Sequence, residues 1–238
     1  TNILESIYVG TIGKSHRTND TSDMLMFNAE EAGIVVKFEK KDTPQKVNIK
    51  LFRQGPKDIR LNDTKISQKE LIGTLNTVIF CPEDLQLIKG TPSGRRRFLD
   101  MEISQTSATY YHQLMQYNRL LQQRNAILKE YRGKQNIPLE EWDLQLADMA
   151  SFIVKKRLES LKKINLLIDL MNRKLTGGLE NLTIGYEQPY MDNGSLEYTK
   201  EGFYERIKAA LPQDRHRMTT SVGPHRDDLR FFSDAMDL

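Results

Sequence analysis

Apolar residues recur at helical spacing through the middle third of the chain. One pattern covers residues 106–132. After a break at 133–138, a second covers 139–175, with apolar positions every three or four residues as far as Met171 and Leu175. At about 1.5 Å of rise per residue, the second helix would be about 55 Å long. Two long amphipathic helices joined by a short loop pack antiparallel, so the pattern predicts a helical hairpin with its apolar stripe buried in a core.

Apolar and polar residues alternate with a period of two on either side of this helical region. Within residues 33–54, alternation over 34–39 and over 46–52 predicts an antiparallel hairpin, and residues 57–61 predict a third strand. Residues 77–80, Thr-Val-Ile-Phe, predict a buried strand that ends at Cys81-Pro82. Shorter patterns predict helices at 1–13, 69–76, 95–103 and 200–211 and strands at 182–186 and 229–232.

These elements predict an α/β body interrupted by a helical lobe. The strands near both ends of the chain assign residues 1–90 and 179–238 to the body, and residues 91–178 form the all-helical lobe. The longest uninterrupted apolar runs are only a few residues, far short of the roughly 20 that cross a bilayer. A bilayer-spanning helix is therefore excluded.

Composition adds a weak preference for an anionic partner. The 238 residues carry a net charge of +3, with a pI of about 8.8. Positive charge clusters at residues 95–97, at 155–157 with 162–163, and at 215–217, although each cluster also fits a solvated surface. The single cysteine, Cys81, cannot form an internal disulfide, which predicts a reducing, cytoplasmic setting. A buried small residue is a better interpretation of this cysteine than a nucleophile.

Two segments near the start of the chain fit phosphate chemistry. Thr1 opens the first helix, where a hydroxyl serves either as an N-cap or as the magnesium ligand that ends a phosphate-binding P-loop. Lys14 and Arg17 follow that helix and fit either an anion site or an exposed loop. The chain opens directly in a helical pattern and closes just after an apolar stretch, so we expect it to be the middle of a longer protein.

Two further segments contain clustered acids. Glu83 and Asp84 follow the predicted strand at 77–80, a position that fits either a metal or water site or a helix cap. The segment His225–Asp228 offers groups for metal binding or acid–base work. Neighbouring side chains on a turn diverge, so a hairpin turn with charged residues is the better interpretation of this segment.

Six segments, taken together and in order, resemble the RecF family of bacterial recombinational repair proteins, which is related to SMC-type and ABC-type ATPase heads. The resemblance extends over essentially the whole chain. It implies an ABC/SMC-type ATPase lobe with a β-hairpin region, interrupted by a helical lid lobe. The segments are Thr1–Ile7, Lys14–Thr18, Phe80–Leu85 with Ile88–Gly90, Pro92 with Arg95–Asp100, Tyr117–Asn125 and Gly223–Leu229.

The resemblance implies an ATP site with Mg²⁺. Thr1 takes the place of the last P-loop residue, whose hydroxyl binds the metal, and Arg17 resembles an arginine that related heads place near the nucleotide phosphates. Residues 80–84 lie where those heads carry a metal-binding glutamine, and no glutamine occurs there. The nucleotide residues implied in this way are Thr1, Asn2, Arg17, Glu83 and Asp84. The P-loop lysine, signature motif and Walker B acid are absent from this sequence, so we expect this chain alone not to hydrolyse ATP.

The resemblance also implies DNA and protein partners. It is typical of an ATP-controlled clamp that dimerises on ATP, binds double-stranded or gapped DNA in gap repair and replication restart, and works with RecR and RecO to load RecA. The residues that we expect to contact DNA are Lys14, Arg95, Arg96, Lys155, Lys156 and Arg157.

Two other functions stay open. In the first, the helical lobe is a non-catalytic adaptor that docks repair partners. In the second, the chain belongs to a chromosome-organising head of the SMC type. The second is disfavoured because residues 106–177 form a hairpin too short for a long coiled coil.

Overall fold

The hairpin predicted from period-two alternation forms one edge of a four-stranded antiparallel sheet in the computed structural model. The structure describes residues 2–18, 20–132, 137–190, 198–234 and 236–237. Strands β1 (Glu31–Lys40) and β2 (Thr43–Phe52) pair along their whole length through a two-residue turn. Strands β3 (Asp58–Leu61) and β4 (Thr64–Lys65) complete the order β1-β2-β3-β4. Both tight turns place two non-glycine residues at positive φ, the geometry that matches strand twist.

Helix α1 (Asn2–Ile12) packs against this sheet, as the first helical pattern predicts. The core beneath it is apolar and includes Val9, Val47, Ile49 and Leu71, all at most 1% exposed. Gly10 lies so close to β1 that an added Cβ would stand 2.4 Å from Val36 Cγ2, so a glycine lets the helix approach the strand. A 3₁₀ turn, Thr21–Met24, lies between this helix and β1, and the short helix α2 (Gln68–Leu71) follows β4.

The remaining helices begin after a second 3₁₀ turn, Pro82–Leu85. They are α3 (Gln86–Lys89), α4 (Pro92–Thr106), α5 (Ala108–Glu130), α6 (Glu140–Thr176), α7 (Lys200–Ala209) and α8 (Leu211–Arg217). Strands β5 (Leu182–Glu187), β6 (Asp228–Ser233) and β7 (Met236–Asp237) form an antiparallel sheet in the order β5-β6-β7. The core between these helices and this sheet contains Tyr117, Leu146, Ile153 and Phe203.

Helices α5 and α6 form the predicted antiparallel hairpin. Near the start of α5, the Tyr110 hydroxyl contacts Arg157 of α6, and near its end Arg124 contacts Asp143 at the start of α6. Helix α6 ends at Gly177, whose φ of 68° closes the helix in the left-handed region. Helices and two antiparallel sheets together give the mixed architecture, with a helical hairpin, that the sequence pattern predicts.

By their internal contacts, the described residues form two compact units. The first unit contains residues 1–81 and 104–108, and the second contains 82–103 and 109–238. Strand β5 contacts α6 of the second unit, and Asp228 of β6 pairs with Arg95 of α4 in the same unit. The sequence predicts a division by function, into an ATPase body and a helical lobe. This division, with residues 1–90 and 179–238 in the body and 91–178 in the lobe, stays a prediction.

Several predicted elements are wrong or differ in length; the helix predicted at 95–103, for example, is the longer α4. Residues 77–80 form no strand, and Val78 and Phe80 are 94% and 85% exposed, because none of the described strands pairs with this segment. The helix predicted at 69–76 is limited to α2, whose start is fixed by a capping box at Ser67. The predicted helix 200–211 is followed by a second helix, α8, which holds the basic cluster 215–217.

The apolar stripe of α6 is buried only over its first two thirds. Leu146, Ile153 and Leu161 lie in the core, whereas Met171 and Leu175 are 63% and 87% exposed. The prediction of a fully buried stripe is therefore wrong at its end, because α5 extends beside only the first part of α6. Within the described residues, no helix is both long and apolar enough to cross a bilayer.

Candidate nucleotide and nucleic-acid sites

The start of α1 is the candidate phosphate site of the first unit. Asn2 is the first residue of this 11-residue helix and is exposed, whereas Thr1 lies outside the described residues. The first turn of a helix presents backbone N–H groups without intrahelical partners and the positive end of the helix dipole. The local structure at Asn2 therefore suits an anion.

Arg17 is held beside this helix by a hydrogen-bonded loop. The buried Ser15 hydroxyl donates to Glu5 Oε1 at 2.5 Å and accepts from the backbone N–H of Arg17 and Thr18 at 2.9 and 3.2 Å. Arg17 Nη1 donates to the other Glu5 oxygen at 3.3 Å, and the arginine side chain stays 47% exposed. A guanidinium that is fixed on one side and open on the other is suited to a phosphate oxygen.

A second pair of cations lies next to this loop. Lys57 Nζ donates to the carbonyl oxygen of Gly13, and burial together with the nearby Lys14 lowers the pKa of Lys57. Lys14 itself is exposed. Sequence reasoning selected Lys14 and missed Lys57, because a lysine 44 residues away carries no local signal of this contact.

The two acids predicted to help with metal binding belong to the second unit. Glu83 and Asp84 lie in the 3₁₀ turn Pro82–Leu85 rather than beyond a buried strand. Asp84 is half-buried, and the side chain of Glu83 lies outside what the structure describes. Among the described residues no group of three or more histidine, cysteine, aspartate or glutamate side chains is arranged to hold a metal ion.

Two of the predicted DNA contacts, Arg157 and Arg95, have guanidinium groups that are buried in ion pairs. The Arg157 side chain is 2% exposed and donates to both carboxylate oxygens of Asp100 at 2.9 Å. Arg95 is 11% exposed and forms a bidentate pair with Asp228 at 2.7 and 2.8 Å. Guanidinium groups used in this way have no free edge for a DNA phosphate.

The other predicted DNA contacts of the second unit differ in their surroundings. Arg96 is half-buried and donates to the Asp227 carbonyl oxygen at 2.6 Å. Lys155 is exposed, and Lys156 forms a surface ion pair with Glu159 at 2.7 Å. Only the two lysines thus present their charge on the helix surface.

The segment predicted as a hairpin turn with charged residues, His225–Asp228, is the centre of a buried polar network. Asp227 is 0% exposed and accepts from the hydroxyls of Tyr186 and Tyr190, with Tyr190 at 2.6 Å. Arg157 Nη1 stands 3.8 Å from the same carboxylate and donates to the Pro224 carbonyl oxygen at 2.7 Å. The network joins α6, β5 and the segment before β6, so its role is to hold these elements together.

Burial sets the protonation of this network. Loss of water contact raises the pKa of Asp227 to about 6, against the opposing effect of Arg157 and the tyrosine hydroxyls. The same cause raises the pKa values of Tyr186 and Tyr190 and lowers that of His225 to about 4. His225 is therefore neutral at pH 7; its Nδ1 lies 2.6 Å from the Tyr117 hydroxyl and its Nε2 lies 3.0 Å from the Thr220 carbonyl oxygen.

Several curated proteins that are similar to this chain have the same name. "DNA replication and repair protein RecF" of Alkaliphilus oremlandii is 40% identical over 241 residues, which include all of this chain and 66% of the relative. Proteins of the same name from Clostridium botulinum strain Eklund 17B and Clostridium beijerinckii are 41% and 39% identical and are covered to 65% and 64%. The chain thus spans about 65% of the length of the curated relatives that it matches. No family model matches it.

Two solved structures have the same fold. Structures of the recombination mediator protein RecF in the RecFOR pathway, one with ATPγS and one with ATP, each superpose with a TM-score of 0.90 at 30% identity. They match 99% of this chain, which corresponds to 64% and 65% of the RecF chains. The similarity in sequence and the similarity in structure therefore extend over the same two thirds of a longer protein.

Proposed function

Because this chain belongs to the RecF family of DNA replication and repair proteins, we propose that it is part of an ATP-controlled DNA-binding protein of recombinational gap repair and replication restart. The observation that carries the proposal is the match of 99% of the chain to RecF structures with ATP and ATPγS. In this function the protein dimerises on ATP, closes on double-stranded or gapped DNA, and works with RecR and RecO to load RecA.

The start of α1 and the loop at Arg17 supply the phosphate side of the proposed nucleotide site. The first turn of α1 offers free backbone N–H groups at Asn2, and Arg17 is fixed by Glu5 with its outer side open. Thr1 is the proposed ligand of Mg²⁺, which neutralises charge on the phosphates when it is bound. Glu83 and Asp84 are the proposed acids near the metal or its water.

DNA binding that depends on ATP is the property to test first. We expect the full-length protein to bind a fluorescent 30-base-pair duplex more tightly with ATP than without, and the affinity to fall steeply with salt because phosphate contacts release counterions. Fluorescence anisotropy from about 50 to 200 mM salt measures both effects. Equal affinity with and without ATP and at all salt concentrations would contradict the proposal.

Arg17 tests the nucleotide site itself. Arg17→Ala in the full-length protein should weaken ATP-dependent dimerisation more than nucleotide binding, because in the proposed site Arg17 contacts the phosphates from outside the P-loop. Sedimentation velocity with and without ATP gives the dimer fraction, and Arg60→Ala, another exposed arginine of the first unit, is the matched control. Unchanged dimerisation would show that Arg17 is only a loop residue.

A second candidate function, a protein–protein adaptor, is supported by the exposed end of α6. Leu166, Leu170, Leu175 and Leu179 are 58–87% exposed and lie close together in the sequence. Exposed apolar patches commonly mark interfaces. If the chain is part of a DNA clamp, Lys155→Glu with Lys156→Glu should weaken DNA binding and leave RecR binding unchanged. If it is an adaptor, Leu170→Asp with Leu175→Asp should abolish RecR binding and leave DNA binding unchanged.

A further inference from the structure

A cleft of about 750 Å³ on the second unit is lined by three arginines. Arg206 comes from α7, Arg217 ends α8, and Arg226 belongs to the segment before β6. Tyr190, Glu205 and Ser221 line the same cleft. The three arginines are distant in sequence, so the fold itself brings them to one cavity.

Arg226 is held in a fixed orientation at the rim of this cleft. Its Nε and Nη2 donate to the Thr220 carbonyl oxygen at 3.1 and 2.8 Å, and Nη2 also donates to Thr219 Oγ1 at 3.3 Å. None of the described residues accepts a hydrogen bond from Nη1, and the residue is exposed. The guanidinium therefore presents an open edge in a preorganised position, which is the arrangement that a phosphate uses.

A second set of buried contacts holds helix α8, which ends at Arg217. Asp214 in α8 is 0% exposed, accepts from the backbone N–H and the hydroxyl of Ser221 at 2.9 and 2.5 Å, and pairs with Arg124 at 2.7 Å. These bonds tie α8 to the segment that carries Arg226. Arg217 itself is exposed and, within the residues described, has no carboxylate partner.

The positive surface continues beyond the cleft. A second cavity of about 430 Å³ on the same helix pair is lined by Lys208, Leu211, Pro212 and Arg215. On the side of the cleft, Glu205 is the one acid among the lining residues, against three arginines. Two cationic cavities on adjoining helices match a ligand that carries several phosphates in a row rather than a single one.

We propose that the surface formed by Arg206, Lys208, Arg215, Arg217 and Arg226 binds the phosphodiester backbone of duplex DNA. This inference rests on the proposed function, to which it adds the contact surface. In place of Arg95 and Arg157, whose guanidinium groups are buried in ion pairs, it uses the exposed Lys208, Arg217 and Arg226. Arg206 and Arg215 are half-buried beside them, and Arg206 Nη1 donates to the Tyr190 carbonyl oxygen at 3.3 Å. Contacts with the phosphodiester backbone position the protein on the duplex but do not distinguish one DNA sequence from another.

Charge reversal on this surface is the test. In the full-length protein with ATP, Lys208→Glu with Arg217→Glu should raise the Kd for a 30-base-pair duplex at least about tenfold and lower the slope of log K against log salt by about two, one for each lost phosphate contact. Both side chains are exposed, so the fold should tolerate the change; the thermal midpoint checks this. Lys174→Glu, an exposed lysine in the last turn of α6 outside both cavities, is the matched control and should bind like the wild type.

Each outcome separates this inference from the proposed function. If the wild type does not bind duplex DNA, the proposed function itself fails. If the wild type binds and the double variant binds with the same Kd and salt slope, only the surface assigned here is wrong. If the double variant loses binding of a fluorescent ATP analogue while keeping DNA affinity, the cleft holds a free nucleotide, and the proposal of a DNA backbone is overturned.

Discussion

The two units of this chain place their charged residues differently. In the first unit the described ion pairs lie at the surface, as in Arg60–Asp58 and Lys46–Asp63, where the cationic side chains are 48% and 39% exposed. In the second unit Arg124 and Arg157 are at most 2% exposed and bind carboxylates that are themselves 0–15% exposed. The first unit is therefore held by an apolar core, whereas the second depends on buried charges as well.

The difference follows from how far apart in sequence the contacting segments of each unit are. Strands that are neighbours in sequence build the sheet of the first unit. Their backbone hydrogen bonds and alternating apolar residues are sufficient to hold that sheet together. The second unit joins segments far apart in sequence: Arg124 reaches Asp214 and Thr220, 90 and 96 residues away. A buried charge accepts few alternative partners, so such pairs define one arrangement of helices at the expense of tolerance to substitution.

Removal of a buried arginine should have the largest effect. Arg124→Met leaves Asp143 and Asp214 buried without their cation, and we expect a loss of about 3–5 kcal/mol in the free energy of unfolding. Urea unfolding followed by the fluorescence of Trp142, the only tryptophan and a residue of α6, reports on this unit. A loss below about 1 kcal/mol would show that the second unit does not depend on this pair.

The glycine that opens the buried segment should rank second. Gly223 has φ 131°, and a Cβ there would lie 2.3 Å from the Tyr117 hydroxyl, so we expect Gly223→Ala to cost about 1–3 kcal/mol. The same Trp142 signal measures it. Gly94→Ala in α4, in the same unit, where a Cβ would come no closer than 3.8 Å to another atom, is the control and should not lower stability. Equal effects of the two variants would contradict the packing described for Gly223.

Asp227 and His225 should oppose each other in the pH dependence of stability. The folded-state pKa of Asp227 is raised to about 6, so the folded state binds more protons than the unfolded state and stability falls as pH rises from 3.8 to about 6. The pKa of His225 is lowered from 6.5 to about 4, so its contribution rises with pH between about 4 and 6.5. The two slopes nearly cancel in the wild type.

Asp227→Asn removes one of these slopes. We expect the stability of this variant to rise between pH 4.5 and 6 by up to about 1.4 kcal/mol per pH unit more than that of the wild type. Urea unfolding at a series of pH values, again through Trp142, gives the slope. Parallel curves for the two proteins would mean that Asp227 does not titrate in this range.

The smallest effect should come from a surface pair of the first unit. Arg60→Met breaks the pair with Asp58, which water already solvates, and we expect the thermal midpoint to shift by less than about 2 °C. Differential scanning calorimetry measures it. A shift as large as that of Arg124→Met would remove the contrast between the two units.

The periodic elements were predictable from the sequence, and the chemistry of single residues was not. The bounds of α6 differ by one residue from those predicted from its apolar spacing, and the β1–β2 hairpin follows from its alternation. The strand predicted at 77–80 failed because a strand exists only with a neighbour, and apolar content alone does not supply one. The residues proposed for nucleotide binding came from the resemblance, and the site that they form stays a prediction.

Sequence by itself determined the family, the helical hairpin and the strand pairs, because these depend on local spacing and on motifs that stand in order along the chain. Only the tertiary structure decided which charges are buried and which face solvent. Arg157 and Lys155 are two residues apart in one basic run, yet the first is buried in a pair with Asp100 and the second is exposed. A charge is buried where the fold brings an opposite charge to it, and for Arg157 and Arg95 that partner is 57 and 133 positions away in the sequence.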